Sequence, residues 1–207
     1  MKKTGTTTVG IVCKDGVVLA ADTRATAGSM IIDSNAEKVI KVNENVALTI
    51  AGTFSSAQKL VTHLRSEIKL REIRTGRSMT IKEIANMTSN WLYGMIRSPS
   101  MIQDVVHFLL AGRDKHGLHL FDLYFDGSFV EVKNYISSGS GSVFVYGVLE
   151  SSYKENLSSE EGIKLVEKCI DVAIQKDSAS GNGIDIFLIN EDGVEKVLSK
   201  RVNTHFQ

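Results

Sequence analysis

Three residue types near the amino end of this chain are suited to nucleophilic chemistry at regular spacing. Thr6 supplies a hydroxyl directly after Gly5, Asp22 a carboxylate sixteen residues on, and Lys38 an ammonium a further sixteen along. A threonine hydroxyl is a poor nucleophile at neutral pH and has to be activated by a nearby base. Gly5 places a flexible backbone, able to bend into an unusual conformation, immediately before that hydroxyl. Each residue also has an ordinary reading. Thr6, Thr7 and Thr8 are β-branched residues suited to opening a strand, Asp22 fits a turn, and Lys38 fits the exposed start of a strand. Taken singly, the ordinary readings suffice.

The elements that must position these groups read first as sheet. Residues 7–13 and 17–22 are apolar, β-branched runs around Lys14-Asp15-Gly16, whose Asp-Gly pair signals a hairpin. Residues 38–42 and 46–51 repeat the pattern across Asn43-Glu44-Asn45. The period then changes. Ala57, Leu60, Val61, Leu64 and Ile68 fall at helical spacing, and Thr80 with Glu83 forms a capping box for a second helix carrying Ile81, Ile84, Leu92 and Met95. Strand-like runs return at 105–110, 118–124 and 129–132, with turn signals at Lys115-His116-Gly117 and Asp126-Gly127. A third long helix starts at Ser158 with Glu161 as capping partner, carries Ile163, Val166, Cys169, Ile170 and Ala173 on one face, and ends near Asp177. Residues 184–189 and 194–198 form a closing hairpin. Two sheet-forming sections, each followed by helices and without linker or repeat, predict an α+β fold: a four-layer αββα sandwich of two antiparallel sheets flanked by helices.

Composition narrows the partners. A chain of 207 residues fits one domain that hides roughly 70% of its unfolded surface. Lys plus Arg and Asp plus Glu number 24 each, so no basic field exists to hold nucleic acid or an anionic bilayer. No run approaches the roughly 18 apolar residues of a membrane span, and Met1-Lys2-Lys3-Thr4-Gly5 lacks the apolar stretch of a secretory signal. With only Cys13 and Cys169, a disulfide framework is not expected, and the cytoplasm is the expected compartment. His63, His107, His116, His119 and His205 show no metal-ligand spacing, and no Gly-rich run carries the Lys-Ser/Thr of a phosphate loop, so no cofactor is implied.

Taken together, Gly5-Thr6, Ala21-Asp22-Thr23-Arg24-Ala25-Thr26 and Lys38 resemble the proteasome β-subunit family of N-terminal-nucleophile, threonine-type peptidases. The resemblance continues through Ala51-Gly52-Thr53, Leu110-Ala111-Gly112, Ser138-Gly139-Ser140-Gly141-Ser142, Tyr146-Gly147-Val148-Leu149-Glu150 and Asp177-Ser178-Ala179-Ser180-Gly181, and the simple Thr-Thr-Thr start looks archaeal-like. It implies a leader, residues 1–5, removed by autocatalytic cleavage between Gly5 and Thr6, and a single domain over residues 6–207. Thr6 would then attack a substrate carbonyl, with its own freed α-amine as base and an acyl-enzyme ester as intermediate. Lys38 would tune hydroxyl and amine, Asp22 would hold Lys38, and Gly52 would donate its N–H to the oxyanion. Ser140, Asp177 and Ser180 match positions that orient the amino end and the catalytic water. Ala25, Thr26, Ala36 and Ile50 match substrate-binding positions, and the apolar character of Ala25, Ala36 and Ile50 implies cleavage after hydrophobic residues.

The same resemblance implies α-type subunits and other β subunits as partners in seven-membered rings, a regulatory ATPase acting through the α ring, and unfolded polypeptide as substrate. The chain departs from the family pattern at Lys176, where an arginine is usual, at Asn182, where an acid is frequent, and across 93–104, which lacks the usual aromatic- and proline-rich passage. Two alternatives stay open on sequence. One is a ring subunit that keeps its leader and does not catalyse. The other is an amidohydrolase of small amides, which the Ala-Asp-Thr-Arg-Ala-Thr segment disfavours.

Overall fold

A computed structural model of the chain describes residues 5–101 and 104–202. Strands β1 (Thr7–Val12) and β2 (Val17–Asp22) form the opening hairpin, closed by a turn in which the Cys13 N–H donates to the Gly16 carbonyl at 2.8 Å. Nearly every residue in both strands is buried, so the sequence shows them as unbroken apolar runs instead of an in-out alternation. They lie at the centre of a five-stranded sheet. β10 (Tyr135–Gly139) pairs on the outer side of β1, and the closing hairpin of β11 (Gly183–Asn190) and β12 (Gly193–Arg201) adds to β2. A second five-stranded sheet runs in simple order through β5 (Val39–Asn43), β6 (Val46–Gly52), β7 (Val106–Asp114), β8 (Gly117–Leu123) and β9 (Phe129–Glu131). Every pairing among the described residues is antiparallel.

Strand alternation sorts the side chains into layers. In β7, Phe108 and Leu110 face a core shared with α1 (Phe54–Thr75) and α2 (Ile81–Arg97), while Leu109 and Ala111 face Leu19, Ala21 and Phe187 of the other sheet. Behind that first sheet a third core joins Val9, Ile11, Val18 and Ala20 to α3 (Ser142–Ser152) and α4 (Ser159–Lys176). The result is the expected four-layer sandwich. The capping boxes expected from Thr80 with Glu83 and from Ser158 with Glu161 both form.

Four elements have no counterpart in the sequence reading. The short hairpin of β3 (Ala25–Ala27) and β4 (Met30–Asp33) stands off both sheets, and all of β4 is exposed, so it shows no period against a core. β10 reads in sequence as a Gly-Ser turn. It is a strand because β1 pairs with it and its buried hydroxyls are satisfied: Ser137 donates to the Thr8 carbonyl, and Ser138 bonds the Thr8 hydroxyl. Helix α3 starts at Gly141 without a side-chain cap, and its apolar residues lie on several faces, with Val145 and Leu149 buried while Val143 is exposed.

Candidate active site

Asp22, fully buried at the end of β2, is where the separate chain segments meet. Its Oδ1 accepts from the Lys38 ammonium at 2.8 Å and from the Thr7 N–H at 2.9 Å. Its Oδ2 accepts from the Gly181 N–H at 2.9 Å and the Arg24 N–H at 3.1 Å. Four donors on one carboxylate offset the cost of removing its charge from water. Lys38 precedes β5, only 3% exposed, and its carbonyl accepts the Ile50 N–H at 2.8 Å, which fixes it against β6. Burial pushes the Lys38 ammonium below the ordinary lysine value, with the Asp22 carboxylate opposing that shift.

Lys38 also reaches the Gly5 carbonyl oxygen at 3.4 Å, and the Thr6 hydroxyl donates to the same oxygen at 2.6 Å. The peptide group joining Gly5 to Thr6 thus has its carbonyl between a cation that polarises it and a hydroxyl that can add to it. On the other side of Thr6, its N–H donates to the Ser140 hydroxyl at 3.2 Å. Ser140 and Ser180 both donate to Asp177 Oδ2, at 2.6 and 2.7 Å, and Asp177 caps the end of α4 through its own N–H to the Ala173 carbonyl. With the Ser180 proton committed to Asp177, the Thr7 hydroxyl is left to donate to Ser180 Oγ at 2.7 Å. Gly139 lets Ser140 come this close: its φ is +91°, and a Cβ there would lie 2.0 Å from the Thr6 carbonyl oxygen.

Gly52 faces this group through its backbone. The Ile50 N–H points to the Lys38 carbonyl and the Thr53 N–H to the Val105 carbonyl, so strand alternation turns the Gly52 N–H toward the Lys38 edge. There it borders a pocket of about 220 Å³ whose lining includes Thr6, Ala25, Thr26, Ile32, Lys38 and Ile50. Gly52 has φ of +103°, and a Cβ would stand 2.1 Å from the Val105 carbonyl oxygen. Gly52→Ala is therefore expected to combine backbone strain of roughly 1–3 kcal/mol with displacement of that N–H. A melting curve of the variant should fall accordingly. Peptide hydrolysis should drop about 10²–10³-fold if the N–H serves an oxyanion.

The structure thus brings together Gly5, Thr6, Asp22, Lys38, Gly52, Ser140, Asp177 and Ser180, with Ala25, Thr26 and Ile50 beside them. Ala36 lies outside the pocket lining. It is buried, and its N–H donates to the Thr23 carbonyl. Thr7 escaped the sequence reading, and Arg24 and Asn182 were named in it without a place in the site. Thr7 gives both its N–H and its hydroxyl to the cluster. Arg24 bonds the Asn182 side chain at 2.6 Å and the Ser178 carbonyl at 2.9 Å, which clamps the turn after α4. A visible signal was the charged Arg24 two residues after Asp22, matched by the polar Asn182 after Ser180-Gly181.

No helix among the described residues is long and apolar enough to cross a membrane. Among the same residues no cluster of His, Cys, Asp or Glu is arranged to hold a metal; His205 lies outside them.

The chain matches the family model described as proteasome subunit over residues 2–189. It is 41% identical to the proteasome subunit beta of Methanohalophilus mahii, over 96% of this chain and 93% of that protein. To the proteasome subunit beta of Methanosphaera stadtmanae it is 42% identical, over 92% and 89% respectively. The corresponding protein of Methanococcus maripaludis is 41% identical over 92% of this chain and 86% of its own length. With the four-layer sandwich and matches that run almost end to end, the chain belongs to the proteasome subunit family, in its β-type branch.

Proposed function

We propose that this chain is a catalytic subunit of a proteasome core particle, a threonine endopeptidase that activates itself by cutting between Gly5 and Thr6. The observation that carries the reading is the Gly5 carbonyl held between the Thr6 hydroxyl and the buried Lys38 ammonium. In the first reaction Thr6 Oγ adds to the Gly5 carbonyl carbon, the C–N bond breaks, and the acyl group passes from nitrogen to oxygen as an ester. Water then hydrolyses that ester, releasing residues 1–5 and leaving Thr6 with a free α-amine. Residues 1–4 lie outside the described residues.

The freed amine, with an ordinary value of about 7.7–8.0, is a base matched to neutral pH. In turnover it takes the Thr6 hydroxyl proton as Oγ attacks a substrate carbonyl. The ammonium of Lys38 favours the developing alkoxide, Asp22 fixes Lys38, and the Gly52 N–H receives the oxyanion. Ser140 and Ser180, ordered by Asp177, hold the new amino end and the hydrolytic water. The pocket lined by Ala25, Thr26, Ile32 and Ile50 receives the side chain that precedes the cut, which favours hydrophobic residues. Family membership supports a place beside α-type subunits in a core; unfolded polypeptide as substrate, seven-fold rings, a regulatory ATPase and a cytoplasmic site belong to the same reading. The structural, non-catalytic alternative has no use for the Thr6, Lys38 and Asp22 contacts.

The test is the intact mass of the chain after co-assembly with its α-type partner, followed by hydrolysis of a fluorogenic peptide ending in a hydrophobic residue. A mass lacking residues 1–5, with hydrolysis, is the expected result. Retention of the full-length mass in an assembled particle would instead assign the chain a structural place in the ring.

A further inference from the structure

Residue 5 is held on both sides. Its N–H donates to the Thr26 hydroxyl at 3.0 Å, and its carbonyl is held by the Thr6 hydroxyl and Lys38. With the backbone so fixed, the direction that a side chain would take at this position is fixed as well. A Cβ on residue 5 would lie 1.8 Å from the Ala179 Cβ and 2.7 Å from both the Ala179 Cα and its carbonyl oxygen. The neighbour cannot easily withdraw. The Ala179 N–H donates to Asp177 Oδ1 at 3.2 Å, the Ser180 N–H to the Asp177 carbonyl at 3.1 Å, and Arg24 grips the Ser178 carbonyl at 2.9 Å.

The pocket that would take a substrate side chain borders Gly5 as well, but Ala179 is not among its lining residues. A side chain on residue 5 would therefore point into the clamped turn and not into the pocket. We infer that self-cleavage and turnover read opposite sides of the residue that carries the scissile carbonyl. Ala179 is the specificity-determining residue for the first reaction, admitting only glycine before Thr6, while the pocket selects a hydrophobic side chain in the second. The inference rests on the proposed self-cleavage and gives it a selectivity distinct from that of turnover.

Three variants, each co-assembled with the α-type partner and followed by intact mass against time, test this. Gly5→Ala should lose its leader about a hundredfold more slowly than the unaltered chain, because the contact is with a held backbone and a methyl group that cannot move aside. Gly5→Leu should be slower still, although leucine is a side chain that the pocket suits. Gly5→Ala combined with Ala179→Gly should recover about tenfold over Gly5→Ala alone, and not all of the loss, because the Cα and carbonyl oxygen of residue 179 remain. Cleavage of Gly5→Leu at the unaltered rate would show the side chain entering the pocket and overturn the inference. A double variant no faster than Gly5→Ala would remove Ala179 as the determinant. An unaltered chain that keeps its leader would instead overturn the self-cleavage reading itself, so the two failures are told apart by the control.

Discussion

Thr6→Ala is expected to assemble normally, to keep residues 1–5, and to hydrolyse no peptide. The substitution removes the only atom proposed to form a bond with either carbonyl, and loss of the nucleophile in a covalent hydrolase lowers turnover on the order of 10⁶-fold. Its effect on folding is small by comparison. One hydroxyl bond to the Gly5 carbonyl is lost, a net contribution of about 1 kcal/mol, and that oxygen keeps its contact with Lys38. The Thr6 N–H to Ser140 and the Thr7 contacts to Asp22 and Ser180 are untouched. Intact mass and peptide hydrolysis on the assembled particle check both halves, and activity above that of a mock preparation would sink the assignment of Thr6. Thr6→Ser keeps a hydroxyl in reach and should retain leader removal at a reduced rate.

Lys38→Ala should block leader removal and turnover alike, by about 10²–10⁴-fold, because both reactions draw on the same activated hydroxyl. The competing explanation is that the variant simply unfolds. Removing one member of a buried ion pair costs roughly 3–5 kcal/mol. The cost here belongs at the lower end, since Asp22 keeps the N–H groups of Thr7, Arg24 and Gly181. Against a domain stability of about 5–15 kcal/mol the fold survives, and a melting curve on the variant separates the two effects. Normal loss of the leader in a folded Lys38→Ala chain would take Lys38 out of the mechanism.

A pH dependence follows with a definite sign. Before cleavage the Thr6 nitrogen is a peptide N–H and cannot accept a proton, and the Lys38 ammonium, paired with Asp22, polarises the Gly5 carbonyl. Burial pushes that ammonium below the ordinary lysine value, so leader removal should slow as pH rises through the lowered value and the polarising charge is lost. The stability term runs the opposite way. Between the lowered value and the ordinary value of about 10.4 the unfolded chain binds the extra proton, so this group's contribution to stability rises through that window and is lost as pH falls through the lowered value.

Much of this architecture is legible in local chemistry. The Asp15-Gly16 turn announces the first hairpin, and two capping boxes mark the starts of α2 and α4 to the residue. What is not legible is structure that only a partner creates. β10 is rich in serine and glycine and becomes a strand through β1, which offers both ladder bonds and hydroxyl partners. The β3–β4 hairpin faces no core, and α3 lacks both a cap and a single apolar face. The site divides in the same way. Thr6, Asp22 and Lys38 were visible as residue types in a family pattern, but a spacing of sixteen says nothing of contact. Asp22 meets Thr7 because β1 and β2 pair as a hairpin, and Lys38 arrives from the other sheet. Ala36 matches a family substrate-binding position, yet it is buried outside the lining of this pocket, and its N–H to the Thr23 carbonyl ties down the loop before Lys38.

The four donors on Asp22 also set an order of events during synthesis. One of them, the Gly181 N–H, lies 159 residues further along the chain, and β2 takes β11 as its neighbour on that side. A nascent chain still missing its last quarter therefore has the Thr6 hydroxyl and Lys38, but an Asp22 short of a ligand and no Ser180 or Asp177 to steady the Thr6–Thr7 backbone. On the proposed self-cleavage, such a chain lacks the groups that steady the scissile peptide, and the site is complete only once the turn after α4 has been made.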